Sequence, residues 1–161
     1  CAHSRYILGD EQVIGDYSGW QEIANEIKEE DDVVAMLPLY LYDHSGISMS
    51  TGKFDCPWDS GMVGLIYATR EDAVAAWGEC DDLKDKVVNC LEAEVEEYGK
   101  YLSGEVYGFI VRNEATGEDD SCWGFYGMDG CIEEAKAIAK WMTEQNRSLV
   151  AATNLPVQLT E

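Results

Sequence analysis

Basic residues are scarce in this chain of 161 residues. Eleven Lys and Arg stand against 32 Asp and Glu, which gives a formal net charge of −21 at pH 7. This balance argues against direct binding to nucleic acid over a broad surface, because such binding depends on many positive side chains that neutralise phosphates. We therefore expect the partners of this chain to be basic protein surfaces or cations.

Long apolar segments are also missing. The chain has no run of 18 or more apolar residues and does not open on a basic segment followed by an apolar one. No membrane span or secretion signal is predicted, so we expect a soluble, cytoplasmic protein. The six cysteines are an even number, but a chain of this length with 46% hydrophobic residues can bury a core without a disulfide framework. We expect free thiols in a reducing compartment.

Most sequence signatures of chemistry are absent too. There is no CxxC, CxxH or HExxH pattern for zinc, and residues 113–121 are rich in oxygen ligands but lack the spacing of a calcium-binding EF-hand loop. No glycine-rich phosphate loop, nucleophile elbow or kinase signature occurs. We predict no metal site, no cofactor and no catalytic residues.

The residues that are present indicate a folded protein. Acidic disordered chains have few aromatic residues, whereas this one carries five Trp, nine Tyr and three Phe. The length corresponds to one domain, so we predict a single domain over 1–161, with an irregular lead-in at 1–16 and an irregular tail at 146–161.

Apolar periodicity and turn residues predict four helices and four strands. A capping box at Ser18 and Gln21 favours the first helix, Thr69 is placed to cap the second, and Pro38 suggests an edge or a bulge in the first strand. The predicted helices cover 20–30, 70–77, 83–102 and 131–145, and the predicted strands cover 33–42, 62–68, 105–112 and 120–126.

We expect an α+β fold with one four-stranded mixed or antiparallel sheet packed against about four helices. The order helix, strand, strand, helix occurs twice, which is compatible with a pseudo-repeat. The two copies differ in their connection, which is a short turn in the second and a long loop from Asp43 to Gly61 in the first.

The longest predicted helix combines an apolar stripe with an acidic face. Opposite charges at i, i+4 would stabilise such a helix, but they are mostly missing, with Glu96 and Lys100 as an exception. A row of carboxylates on a rigid helix can imitate the charge of DNA, and a plain solvated acidic face is the alternative. The predicted buried stripe is Leu83, Val87, Leu91, Val95, Tyr98 and Leu102. The candidate partner-binding acids of this helix are Asp82, Asp85, Glu92, Glu94, Glu96 and Glu97. Glu118, Asp119 and Asp120, at the turn between the last two predicted strands, are further candidates.

The long loop supplies a second set of candidates. Its Trp58 follows a proline, and could anchor the loop to the sheet or present an aromatic ring to a partner. Trp123, in a similar Asp, Ser, Cys and Gly setting, is predicted to pack in the core. The candidate partner-binding residues of the loop are Asp43, His44, Asp55, Trp58 and Asp59.

The same loop carries an alternative, enzymatic hypothesis. His44 beside Asp43, with Cys56 twelve residues later, is the one arrangement similar to a nucleophile and its base. The neighbouring Asp55 and Asp59 would oppose formation of a thiolate. A lone Cys and His in a loop are also more often structural than catalytic.

Four segments together resemble a known family. The segments PLYLYDHSG, CPWDSGMVGLIY, EVYGFIV and DSCWGFYG are similar to those of small acidic, mostly uncharacterised proteins carried by phages, plasmids and integrative elements of Gram-positive gut bacteria. The resemblance covers roughly residues 1–140. It implies a cytoplasmic anti-defence role in a bacterial host, of the anti-CRISPR or antirestriction type. Relatives that continue upstream of residue 1 imply that this chain is trimmed from a longer one.

The charge and the resemblance lead to one functional hypothesis. We expect a non-enzymatic inhibitor that occupies the basic nucleic-acid channel of a host defence nuclease, either a CRISPR effector such as Cas9 or a restriction enzyme, through an acidic DNA-mimicking surface. Two alternatives stay open. One is a small enzyme that uses the Asp43, His44 and Cys56 loop, and the other is an acidic protein-binding regulatory module whose charge serves solubility.

Overall fold

The strands form two separate antiparallel sheets. The computed structural model describes residues 1–13 and 15–153, and it divides into two compact units, unit 1 (1–104) and unit 2 (from Glu105 onward). Unit 1 contains α1 (Trp20–Glu30), β1 (Val33–Asp43), β2 (Ile47–Ser50), β3 (Ser60–Thr69), α2 (Arg70–Trp77) and α3 (Leu83–Ser103). Unit 2 contains β4 (Val106–Arg112), β5 (Asp119–Tyr126) and α4 (Met128–Thr153).

The α+β class is confirmed, but the single four-stranded sheet is wrong. Unit 1 has a three-stranded sheet in the order β2-β1-β3, and β4 and β5 pair in a sheet of their own. Strand β2 lies inside the segment that was predicted to be a long loop. It was missed because it has only four residues, and because β1 reverses into it through a three-residue turn in which Ser45 adopts a left-handed φ of 58°.

The core of unit 1 lies between its sheet and α3. The predicted stripe is confirmed: Leu83, Val87, Leu91 and Val95 are buried, and Tyr98 and Leu102 are packed against the same core. Their partners are short and branched apolar side chains of the sheet and of α2, namely Ala35, Leu39, Leu41, Met49, Val63 and Ala73. The irregular lead-in also reaches this core, since Leu8 is 3% exposed.

One of the two predicted helix caps is confirmed. Thr69 accepts a hydrogen bond from the Asp72 backbone N–H at 3.2 Å and donates its hydroxyl to the Asp72 carboxylate at 2.7 Å, so α2 begins on a reciprocal cap. The Ser18 capping box is wrong, because the N-cap of α1 is Gly19. Ser18 instead donates its N–H and its hydroxyl to the Glu22 carboxylate at 2.7 and 2.8 Å.

The predicted hairpin of unit 2 is confirmed, with bounds shifted by one residue. Helix α4 is longer than predicted and runs through 146–153, so the irregular tail is wrong for those residues, while 154–161 lie outside the described residues. The apolar spacing of this helix predicts that Ile132, Ala135, Ile138, Ala139 and Met142 face inward. Ala135, Ile138 and Met142 are half-buried, but Ile132 (41%) and Ala139 are exposed, and Cys131 is buried. A helix that covers only two strands has room to bury only a narrow stripe.

The single domain and the pseudo-repeat are the two predictions about how the chain is organised. The prediction of one domain over 1–161 stays a prediction. The element order that suggested a pseudo-repeat is present, but β2 gives the first sheet a third strand, and α3 packs into the core of unit 1. None of the described helices is long and apolar enough to cross a membrane.

Candidate functional site

The acidic face of α3 follows directly from the helix period. Because residues four apart point inward, the intervening side chains point outward, and all six predicted acids of this segment are exposed. At a rise of 1.5 Å per residue, the segment from Asp82 to Glu97 extends over roughly 22 Å. The helix is anchored by its buried stripe, so these carboxylates are held on a fixed scaffold.

Lysines neutralise part of this face. Lys100 contacts Glu96 at 2.7 Å, as expected, and a second i, i+4 pair joins Lys86 to Asp82 at 3.0 Å. Hydrogen bonds from these lysines hold the pKa values of Glu96 and Asp82 below their ordinary range. Within the described residues, Asp85, Glu92 and Glu97 form no ion pair. These three residues, which we call the acidic row, therefore carry the uncompensated charge.

Glu94 differs from the acidic row. It accepts a hydrogen bond from the Cys90 thiol at 3.6 Å and lines a cavity of unit 1. Burial, with a smaller contribution from Glu94, raises the pKa of the Cys90 thiol. The sequence placed Glu94 with its neighbours, and in the structure it is exposed like them but also lines that cavity.

The second acidic segment, Glu118 to Asp120, belongs to unit 2. Asp119 receives two hydrogen bonds from the Arg112 guanidinium, each 2.8 Å long, and this lowers its pKa. Glu118 accepts a hydrogen bond from the Thr116 hydroxyl at 3.1 Å, and Asp120 is half-buried. The segment is therefore the end of a hairpin in which Asp119 is already paired with Arg112. Its carboxylates are less available to a cation than those of the acidic row.

In the loop of unit 1, Asp59 is the central residue. Its Oδ2 lies 3.2 Å from His44 Nδ1 and 3.6 Å from Cys56 Sγ, and its carbonyl oxygen accepts the Asp43 N–H at 2.8 Å. The fold thus brings together four residues that the sequence separates by up to 16 positions. The Asp43 carboxylate is occupied by the Arg5 guanidinium and, at 3.4 Å, by the Tyr6 hydroxyl.

This geometry does not form a nucleophile with its base. An activated thiol needs an imidazole beside it, whereas here the imidazole and the thiol both contact one carboxylate. In the part of the chain that the structure covers, no group of three or more His, Cys, Asp and Glu side chains could hold a metal ion.

Trp58 is displayed to solvent rather than packed. Its side chain is 91% exposed, and the neighbouring Asp55 is exposed as well. Of the two roles considered for Trp58, this position favours contact with a partner over anchoring of the loop, because a large exposed aromatic ring gains most from being covered.

Sequence reasoning missed an exposed apolar face in unit 2. Trp123 was predicted to be in the core, but it is 70% exposed. It pairs with Gly108 across the hairpin, and its indole covers that glycine so closely that a Cβ added there would lie 2.1 Å from the ring. Val106, Ile110 and Tyr126 share this face and are exposed too. A glycine opposite a tryptophan in a hairpin is the signal that could have revealed it.

The other feature that was missed is the cavity of unit 1, about 750 Å³ in volume, between α1, β3, α3 and residues 9–13.

No protein-family model, no curated protein and no solved structure matches this chain in the comparisons with known proteins. The resemblance to a mobile-element family therefore remains a prediction.

Proposed function

We propose that this chain is a non-enzymatic inhibitor from a mobile genetic element, and that it binds the basic nucleic-acid channel of a host defence nuclease, a CRISPR effector or a restriction enzyme. The observation that carries the proposal is the acidic row of Asp85, Glu92 and Glu97. These carboxylates are exposed, form no ion pair among the described residues, and stand on a helix held by a buried stripe.

Like charges three or four positions apart on one helix reduce its stability, as for Glu92 with Glu96 and Glu94 with Glu97, and this supports a use of these acids outside folding. A nucleic-acid channel presents positive side chains that ordinarily meet about one phosphate charge per 1.7 Å of duplex. The acidic row is sparser than that. It therefore serves to attract and orient the nuclease, because charge complementarity mainly accelerates and selects encounters.

Aromatic contacts would then supply much of the affinity. Trp58 is the most exposed of the large apolar side chains among the described residues, and it lies in the same unit as the acidic row. Tryptophan is enriched among the residues that dominate binding energy in protein interfaces. The enzymatic alternative has less support, since His44 and Cys56 share Asp59 instead of contacting each other.

The test compares two charge-reversed variants with the wild-type protein. The variant Asp85→Lys, Glu92→Lys and Glu97→Lys changes the acidic row, and the control Glu29→Lys, Glu30→Lys and Glu71→Lys changes three exposed acids elsewhere in unit 1. Three reversals of +2 each bring both variants from −21 to −15. DNA cleavage by Cas9 and by a panel of restriction enzymes is measured with each protein, with circular dichroism to confirm folding.

We expect the acidic-row variant to lose about tenfold or more in inhibitory potency, and the control to stay within about threefold of wild type. A Trp58→Ala variant should also lose about tenfold or more, compared with little change for Trp77→Ala. Equal inhibition by the acidic-row variant and wild type would overturn the DNA-mimic mechanism. If the wild-type protein inhibits no nuclease but binds another basic protein, the regulatory-module alternative is correct.

A further inference from the structure

The cavity of unit 1 has the size and the lining of a ligand site. Its volume of about 750 Å³ falls within the range of roughly 300–1,000 Å³ that is usual for small-molecule sites. Among the described residues, all those that line it belong to unit 1. The cavity is independent of the acidic row and of the Asp59 loop, so what it binds is a separate question from the proposed inhibition.

The way α1 packs indicates that this cavity is more than a gap in the core. The apolar side of α1 consists of Trp20, Ile23, Ala24 and Ile27, of which Ala24 is buried, while the other three are half-buried and line the cavity. Neither hydrophobic cluster of unit 1 contains a residue of α1. An amphipathic helix normally buries its apolar side against the core, so here the apolar side is directed at a space that a ligand can fill.

Aromatic rings surround that space. Tyr17 and Trp20 line it from the α1 side, Tyr67 from β3 and Tyr98 from α3. The faces of such rings carry partial negative charge and attract cations, most strongly where water is partly excluded. The Tyr67 hydroxyl lies 3.5 Å from the Asp31 carboxylate, and burial, followed by the nearby Asp31, raises the pKa of Tyr67, so its ring carries a neutral hydroxyl near pH 7.

The charged side chains on the wall are all acidic. They are Asp10, Glu11, Asp72 and Glu94, and no Lys or Arg lines the cavity in the part of the chain that the structure covers. Cys1 also lines the cavity, and its backbone nitrogen donates to the Glu11 carbonyl oxygen at 2.8 Å. Asp72 is engaged in the cap of α2, and Glu94 is the lining acid on α3, where it accepts a hydrogen bond from the Cys90 thiol.

From the apolar side of α1, the four aromatic rings and the acidic wall together, we propose that this cavity binds a small organic cation with an apolar body. The body would lie against Ile23, Ile27 and Val95, and the cationic head would lie among the rings beside Glu94. Neutral ligands of the same shape would gain only the apolar contacts, and anions would be repelled.

Three probes with the same body and different heads test this assignment: 4-phenylbutylammonium, 4-phenylbutanol and 4-phenylbutyrate. Binding to the full chain is measured by isothermal titration calorimetry at 150 mM salt, so that the overall negative charge is screened. We expect the ammonium to bind about tenfold more tightly than the alcohol, and the carboxylate to bind most weakly.

Two variants locate the site. Glu94→Gln should reduce the preference for the ammonium over the alcohol roughly two- to fivefold, whereas Glu97→Gln, the same change on the same helix outside the cavity, should leave that preference unaltered. Ile23→Trp fills the cavity and should weaken both probes by about tenfold or more, with circular dichroism and thermal unfolding to confirm that the variant folds.

Several results would overturn the proposal. One is the absence of binding by any probe at millimolar concentration. Another is equal affinity for ammonium and alcohol, and a third is ammonium binding that Ile23→Trp leaves unchanged, which would assign it to the general charge of the surface. None of these results bears on nuclease inhibition, so the two proposals fail independently.

Discussion

The two units of this protein differ in how many apolar side chains they bury. Twelve apolar side chains are buried in unit 1, whereas in the described part of unit 2 the buried one is Cys131. Unit 1 has a sheet with helices that supply a core, while a hairpin and one helix enclose little. Unit 2 therefore leaves Val106, Ile110, Trp123 and Tyr126 exposed, and a patch of this kind is typical of an interaction surface.

The charge, in contrast, is divided nearly in proportion to length, since unit 1 covers 104 of the 161 residues. Unit 1 holds 22 of the 32 acidic residues and seven of the 11 basic ones. Its acids can be displayed at a cost to helix stability because the α3 stripe provides a compensating core. The buried core of unit 1 thus supports an exposed acidic face, whereas the hairpin of unit 2 leaves a set of apolar side chains exposed.

The largest expected effect comes from truncating the core of unit 1. Leu91→Ala, at a position that is 5% exposed, should lower the free energy of unfolding by about 2–5 kcal/mol, since it removes buried contacts and leaves a cavity. Ile110→Ala in unit 2, at a position that is 61% exposed, should change it by less than about 0.5 kcal/mol. Urea unfolding followed by circular dichroism measures both. Similar losses would mean that the two units do not differ in this way.

A smaller effect is expected from the glycine beneath Trp123. Gly108→Ala must displace the indole and should destabilise the hairpin by about 1 kcal/mol or more. Gly61→Ala in β3, where an added Cβ meets nothing within 4 Å, should be neutral or stabilise by about 0.5 kcal/mol. Urea unfolding gives both values, and tryptophan fluorescence reports movement of the ring.

A double-mutant cycle provides the control for this position. In a Trp123→Ala background, Gly108→Ala should lose most of its cost, because the clash is removed. A cost that persists without the indole would show that the backbone, and not the ring, is the reason for glycine.

The smallest expected effect is electrostatic. The Arg112 guanidinium lowers the pKa of Asp119 in the folded hairpin, so the ion pair adds stability above the ordinary pKa of an aspartate, about 4. This stability is lost as the pH falls through the lowered pKa. Because both side chains are exposed, the gain is small.

Amide chemical shifts of unit 2, followed by NMR from pH 6 to pH 2, report this titration. Asp119→Asn should abolish the acid-dependent change at Arg112, while Glu118→Gln in the same turn should retain it. A wild-type Asp119 that titrates at or above the ordinary value would refute the role of Arg112.

Local patterns made much of the fold predictable. The i, i+4 stripe of α3 and the Thr69 cap depend on residues three or four positions apart, and the β4–β5 hairpin depends on two apolar segments joined by a short turn. All three are confirmed. Strand β2 was not predictable in the same way. Its four residues form a strand because they pair with Tyr40 to Asp43, a partner that a short alternating segment does not identify by itself.

The candidate sites also divide into features that a local sequence pattern predicts and features that it does not. The exposure of the acidic row follows from the helix period, and the sequence named all its members. The contacts around Asp59, the exposure of Trp123 and the cavity beneath α1 depend on how separate elements approach each other. Glu94 is an example: the helix period predicts its exposure together with that of its neighbours, but does not predict that Glu94 also lines the cavity.

The sequence by itself determined the net charge of −21, the α+β class and the acidic face of α3, because these depend on composition and on short-range periodicity. Only the tertiary structure decided that the strands divide into two sheets, that His44 and Cys56 meet at Asp59, and that α1 faces a cavity. The physical reason is that these features arise from packing between residues far apart in the chain, and the geometry of such packing is not encoded in any local pattern.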